Sequence, residues 1–443
     1  MSFPRYPAYK DSGVEWLGQV PEKWNVKPLK HLADFINGEA FKPTEWAPEG
    51  TPIIRIQNLN GGEDFNFFDG EVDPRYHVQR GDLLFGWSGN RGTSFGPFVW
   101  PREGLHFLNQ HIFKVEPKDC DARWFYWCLK AVTFYVEQQA HGIIGMVHVT
   151  KGALGRIAVP LPQRTEQEAV AEFLDRETGK IDAVVEKQET LLKQLEEKRA
   201  ATISHAVTKG LDPNVPMKDS GVEWLGKVPE HWTVQRLKFL ADGVTVGVVV
   251  QPSQYYADTG VPALRSLNLR PMGFDMTTLV YFDEASHETL SKSELREGDV
   301  VAVRTGKPGV AAPVTKAVAG SNCIDLILIR NAGGFDARFI AYVINSEVGK
   351  QQVALGSGGA IQQHFNIEEA ANLLLASPDV KEQKLVADHL DRVTAKLDTL
   401  AAKARQNIAL LRERRAALIS AAVTGRIDVR GTAKASTEVG RAA

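Results

Sequence analysis

The side chains of this sequence that suit chemistry are donors and acceptors gathered in short, loop-like stretches. In the first half they are Arg55, Gln57 and Asn58; Trp87, Ser88, Asn90 and Arg91 in the Gly-rich WSGNRG; Asn109, Gln110 and His111; and His148 and Lys151 in HGIIGMVHVTKG. In the second half they are Arg265 and Asn268; Arg304, Thr305 and Lys307; and Gln362, Gln363 and His364 after a Gly-rich turn. Arg and Lys match the acceptors of guanine, Asn and Gln match the mixed edge of adenine, and all of them reach phosphate. This is the donor set of nucleic-acid readout. A polar loop residue is equally compatible with solvated surface. Arg55 with Arg265, and Asn58 with Asn268, recur in both halves and suit fixing the fold as well as reading a base.

The parts of an enzyme are missing from the sequence. Gly179-Lys180 and Gly306-Lys307 lack the upstream Gly of a phosphate loop and are followed by Ile and Pro. There is no [DN]PP[YFW] tetrapeptide of an adenine-N6 methyltransferase. Pro378-Asp379 with Glu382 and Lys384 imitates a nuclease signature, but acids so close together cannot come from two strands, and Glu382 belongs to a helix start. His106 with His111, or His141 with His148, have no partner carboxylate or thiolate at metal-ligand spacing, so structural or nucleic-acid roles suit them better. The expectation is no catalytic residue and no metal.

The elements that must position these residues are written twice. Lys10 to Asp34 recurs as Lys218 to Asp242 with 19 of 25 positions identical at an offset of 208, and Glu166 to Thr208 recurs as Glu382 to Thr424 with 21 of 43 identical. A period this long means duplicated domains and not a solenoid. The intervening stretches, roughly 35 to 160 and 243 to 378, share only a skeleton: GTPIIRIQNL with GVPALRSLNL, RGDLLFGWSG with EGDVVAVRTG, and Asp121-Ala122-Arg123 with Asp336-Ala337-Arg338. Short apolar runs there, LLFGW, HIFKV, VVAV and LILI, read as strands. WFYWCLKAVTFYVEQ (124–138) and FIAYVINSEVGKQQV (339–353) carry helical spacing.

The repeated 43-residue segments place Val170, Leu174, Ile181, Val184, Leu192, Leu195 and Ile203 mostly three, four or seven apart, the pattern of a long amphipathic helix. Gly179 is expected to bend the first helix, where the second copy has Ala395. At 1.5 Å per residue each helix reaches ~60 Å, too long to bury its stripe on one small domain, so the two are expected to pack on each other as an antiparallel coiled coil. The expected fold class is α+β, with internal pseudo-two-fold duplication. Its segments are a variable domain over 1–160, a long helix over 161–210, a second variable domain over 211–378, a second long helix over 379–427 and a disordered tail over 428–443.

Composition bounds the class. A chain of 443 residues, 43% hydrophobic and 24% charged, is long enough for about two to four domains with real cores. Cys120, Cys128 and Cys323 are odd in number and have no zinc spacing, which fits a reducing compartment. The start lacks a signal-peptide apolar region and no window approaches 18 apolar residues, so a cytoplasmic location is expected. Net charge is -2. Residues 25–160 carry 14 basic against 15 acidic side chains and residues 233–378 carry 12 against 14, so affinity for a polyanion must come from local patches or from a partner. Residues 403–443 carry 9 basic against 3 acidic.

KDSGVEWLG-x-VPE-x-W opening each half, a GD-hydrophobic-hydrophobic step inside each variable stretch and an EQ-initiated long helix together resemble the DNA specificity subunits of type I restriction-modification systems, over residues 9–427. The resemblance implies two target recognition domains, each reading one half of a bipartite double-stranded DNA site, held apart and inverted by the paired helices. It implies partners too: two adenine methyltransferase subunits docking on Glu166 to Thr208 and Glu382 to Thr424, plus motor-nuclease restriction subunits. S-adenosylmethionine, ATP and Mg would then belong to those partners. A subunit of another methylation-based defence complex and a protein-binding coiled-coil scaffold are the alternative readings.

Overall fold

The computed structural model describes residues 3–139, 146–356 and 364–431. The chain divides into two compact units, Met1–Gln188 with Gln406–Ala443, and Glu189–Arg405. Each repeated opening forms a two-stranded ribbon, Tyr9–Asp11 with Gln19–Pro21 and Met217–Asp219 with Lys227–Pro229, in the same register. The copies agree to the hydrogen bond: Asp11 accepts from the Gly13 amide and Asp219 from the Gly221 amide, both at 2.9 Å.

In the first unit a four-stranded antiparallel sheet runs Gly96–Val99, Leu83–Gly86, Ile112–Pro117, Ala33–Asn37. A second sheet runs Asn66–Phe68, Thr51–Ile54, His106–Leu108, His77–Val78, with its middle pair parallel. The second unit repeats the plan. One sheet is Gly243–Val246, Leu326–Arg330, Val300–Val303, Ala311–Pro313; the other is Tyr256–Ala257, Val280–Phe282, Val261–Leu264, Asn322–Cys323, again with one parallel pair. The α+β class and the strands expected from the apolar runs are thus observed.

The two helices inside the variable stretches differ from expectation in one copy. Ala122–Gln139 is a single helix, whereas its counterpart breaks into Ala337–Asn345 and Glu347–Gly356. Ser346 causes the break: its hydroxyl donates to the Val343 carbonyl at 2.6 Å and accepts from the Gly349 amide at 3.2 Å, ending one helix and capping the next. Gly349 permits the tight turn, since a Cβ there would lie 2.3 Å from the Val343 carbonyl oxygen.

Arg164–Lys209 and Val380–Val423 are each one continuous helix. Gly179 sits inside the first without interrupting it, in open surroundings, because neighbouring hydrogen bonds hold a single exposed Gly in register. In the first unit Val170, Phe173 and Leu174 pack with Ile419, Ala422 and Val423, and Asp182 takes a two-point ion pair from Arg415 at 2.8 and 3.1 Å. In the second, Ile203 and Val207 share a core with Val386 and Leu390, while Leu195 meets Leu397 and Ala401. Early residues of one helix therefore face late residues of the other, so the paired segments within each unit are antiparallel.

The EQ at each helix start is a buried clamp. Gln167 accepts from the Asp121 amide at 2.7 Å and donates to the Pro162 carbonyl at 3.0 Å; Gln383 does the same with Asp336 at 2.9 Å and Pro378 at 3.1 Å. Glu166 accepts from the indole of Trp24 and Glu382 from that of Trp232, at 2.8 and 3.1 Å. The approaches IAVPLPQRTEQ and LLLASPDVKEQ differ in sequence but pair alike, Ala158–Leu161 on Asn25–Pro28 and Leu374–Ser377 on Thr233–Arg236. Gly425 and Gly210, at φ +71° and +73°, close the helices with the left-handed residue that only Gly adopts freely and lie against Trp24 and Trp232 respectively.

Two expectations change. Neither long helix is a separate segment, because its apolar stripe completes a core at each end. The expected disordered tail does not begin at 428: the Asp428 amide donates to the Pro4 carbonyl at 2.8 Å, Val429 is buried, and the Arg430 guanidinium covers the Tyr6 ring at 4.8 Å. Among the described residues no helix is long and apolar enough to cross a membrane.

Candidate nucleic-acid interface

The strand Leu83–Gly86 of the first unit ends at Trp87 and continues as Ser88–Asn90, which pairs antiparallel with Met146–His148. This ribbon joins two stretches distant in sequence, WSGNRG and MVHVTKG, and sets Ser88 opposite His148. Trp87 is its hub. The indole donates to the Gln110 carbonyl at 3.0 Å, stacks on Phe113 at 5.8 Å, and meets the rings of His148 at 4.8 Å and His111 at 5.5 Å. Asn90, Arg91, His111, Met146 and His148 are exposed around it. Lys151, exposed at the start of the following short helix, lines a ~450 Å³ groove with Lys30, Asp34 and Arg75.

The second unit builds the same place with other residues. Val300–Val303 ends at Arg304, and Thr305 pairs with His364, their side chains 3.2 Å apart. Phe365 donates its amide to the Arg304 carbonyl at 2.9 Å, as Val149 does to the Trp87 carbonyl at 2.9 Å. Leu83–Gly86 pairs with Ile112–Pro117 and Val300–Val303 with Leu326–Arg330, so register equates Trp87 with Arg304, Ser88 with Thr305 and His111 with Asp325. Where the first unit places an indole beside an imidazole, the second has a guanidinium bound to a carboxylate: Arg304 Nη1 lies 2.6 Å from Asp325 Oδ1. Asp325 holds φ +50°, a left-handed conformation that Asp adopts more readily than most non-Gly residues, and its carboxylate meets Arg304. Lys307 is exposed beyond the pair, and Gln362 and Gln363 lie outside the described residues.

Two candidates, Asn58 and Asn268, are corrected to fold-fixing residues. Asn58 and Asn268 are 2% and 0% exposed. Each accepts from the amide three residues earlier and donates to carbonyls of its own loop: Gly62 and Asp64 for Asn58, Asp275 and Thr278 for Asn268. A buried amide with its bonds made has nothing left for a base. Arg55 binds Asn66 and covers the Trp46 ring at 5.1 Å, and Arg265 donates to the Thr278 carbonyl at 2.8 Å, so both staple the same turn. Gln57 donates to Asp64 in that loop, and Asn109 accepts from the His111 amide at 3.3 Å.

Sequence reasoning missed Asp325, because its stretch has no motif in common with the first copy; strand register alone pairs it with His111. The exposed Met146, 60% accessible beside Asn90, was also missed. Among the described residues no group of three His, Cys, Asp or Glu side chains could hold a metal. His106 is buried against Trp100, and desolvation lowers its pKa, which suits a neutral structural imidazole. His141 lies outside the described residues.

Residues 21–196 match the family described as Type I restriction modification DNA specificity domain. The chain is 21% identical to the Type I restriction enzyme EcoBI specificity subunit of Escherichia coli, across 96% of this chain and 90% of that one. It is 23% identical to the Type I restriction enzyme MjaVIII specificity subunit of Methanocaldococcus jannaschii, across 93% and 95%. In fold it is similar to a chain solved in work on complex assembly and conformational transition of the type I R-M system, at TM-score 0.68 and 14% identity, covering 91% of this chain and 98% of that one. The duplicated frame and the paired helices agree with these likenesses: residues 21–196 carry the match to the type I restriction modification DNA specificity domain, and the chain is similar along its length to type I restriction enzyme specificity subunits.

Proposed function

We propose that this chain reads a split, asymmetric double-stranded DNA site, one half with the Trp87 cluster and the other with the Arg304 cluster, and does no chemistry itself. The observation that carries the reading is the pair of clusters: one frame, repeated to single hydrogen bonds, presents two unlike donor sets at the same strand end. A scaffold needs no such difference. Adenine methylation and cleavage would fall to partner subunits holding S-adenosylmethionine, ATP and Mg. Docking of two methyltransferase subunits on the long helices is supported by exposed apolar side chains there: Val184 and Leu410 in the first unit, Leu191, Leu385 and Leu400 in the second.

The test is to express the chain with its methyltransferase and map methylated adenines. A bipartite motif with unlike halves is expected, and a continuous or palindromic motif would sink the reading. Inserting four residues near Ala183 and near Thr399 lengthens both helices by ~6 Å, about two base pairs of reach, and should widen the gap without changing the half-site bases. The purified chain alone should show no methyltransferase, ATPase or nuclease activity.

A further inference from the structure

We infer that Arg304, held by Asp325, reads a guanine in the half-site of the second recognition domain. The inference rests on the proposed DNA-reading function and adds the base and a positioning residue.

A flexible Arg on a loop makes phosphate contacts of many geometries, whereas base readout needs the guanidinium plane fixed before DNA arrives. Three features fix it here. Asp325 takes Nη1 at 2.6 Å, and both side chains are about one third exposed, so the pair sits at the surface. Asp325 is itself set by its left-handed backbone and by donating its amide to the Val248 carbonyl at 3.1 Å. The Arg304 backbone is tied by Phe365. With Nη1 engaged, Nε and Nη2 have no partner among the described residues, and these form the parallel side-on fork that fits the O6 and N7 acceptors of guanine. The neighbouring carboxylate also disfavours a phosphate at the same spot, since it would face a like charge. In the first unit the equivalent residues, Trp87 and His111, offer no such fork.

The experiment is methylation mapping of cells carrying the chain with its methyltransferase, for wild type, Arg304→Ala, Arg304→Gln and Asp325→Asn. Wild type should require guanine at one position of one half-site. Arg304→Ala should relax that position by ~10-fold or more, and Arg304→Gln should shift its preference toward adenine. Asp325→Asn should relax the same position and no other. The first half-site is the internal control: its motif must persist in every variant, which shows a folded subunit. Uniform loss of methylation across all sites with the guanine retained, for Arg304→Gln as well as Arg304→Ala, would make Arg304 a phosphate contact and overturn the inference. Absence of any bipartite motif in wild type would instead overturn the DNA-reading function.

Discussion

The two units make the same frame from the same bonds and different surface clusters from different ones. Trp24 with Glu166 and Trp232 with Glu382, and the clamps of Gln167 and Gln383, are superimposable in role. At the strand end the first unit has an aromatic cluster and the second an ion pair. The contrast follows from burial. A buried donor or acceptor that loses its partner costs about 1–3 kcal/mol, so each frame bond restrains its residue type, whereas a half-exposed side chain at a ribbon end is replaced at little expense to the core.

The largest expected effect tests the shared frame. Trp24→Ala and Trp232→Ala should each destabilise their own unit by about 4 kcal/mol, since each removes a fully buried indole and strips a carboxylate of its donor. Thiol alkylation at pH 8 reads which unit opens. Burial holds Cys120 up to about 11 and Cys323 up to about 12, so in the fold both are unreactive thiols, and modification follows opening of the first or second unit. Equal opening of both units by either substitution would show that the frames are not independent.

Next in size is a graft of one reader onto the other frame. Trp87→Arg with His111→Asp reproduces the Arg304–Asp325 pair on the first unit. The mapped first half-site should gain a guanine preference at one position, worth about 1–3 kcal/mol of discrimination, with the second half-site unchanged. A graft that folds and leaves the motif as it was would mean that the readers are not interchangeable parts.

A smaller difference concerns Lys130, whose register partner is Asn345. Asn345 is satisfied by the Ala311 backbone at 2.7 and 3.1 Å. Lys130 lies over the rings of Phe98 and Tyr126, where burial, aided by Arg415, lowers its pKa to about 8. The unfolded chain then binds more protons than the native one between pH ~8 and ~10.5, so stability of the first unit rises with pH across that window, and below it the charged ammonium is a cost. Lys130→Met should stabilise the first unit by ~1 kcal/mol at pH 7 and remove that pH dependence in urea unfolding. A variant with an unchanged pH profile would disprove the assignment. The smallest effect is Gly179→Ala, which copies Ala395 into open space and should add about 0.5–1 kcal/mol in the same assay.

The frame was legible because duplication writes it twice, and the helices because 3.6-residue spacing persists over some 40 residues. The ribbon of Ser88–Asn90 with Met146–His148 was not legible: short strands far apart in sequence leave no periodic trace. Asn58 and Asn268 misled because polar loop residues look the same in sequence whether they face solvent or close a turn. The break at Ser346 was hidden by apolar spacing that runs on through it.

The return of the final helix to the first unit has a consequence for synthesis. The core of that unit includes Ile419, Val423 and Val429, whereas the core of the second lies between Ile203 and Leu390. As the chain leaves the ribosome the domain begun first therefore cannot close until Ile419, Val423 and Val429 emerge, and the one begun second is complete before it. A nascent chain stalled near residue 405 would carry a finished second unit and an open first one, so premature termination should yield a product that exposes the apolar face of Phe173 and Leu174 to chaperones and proteases.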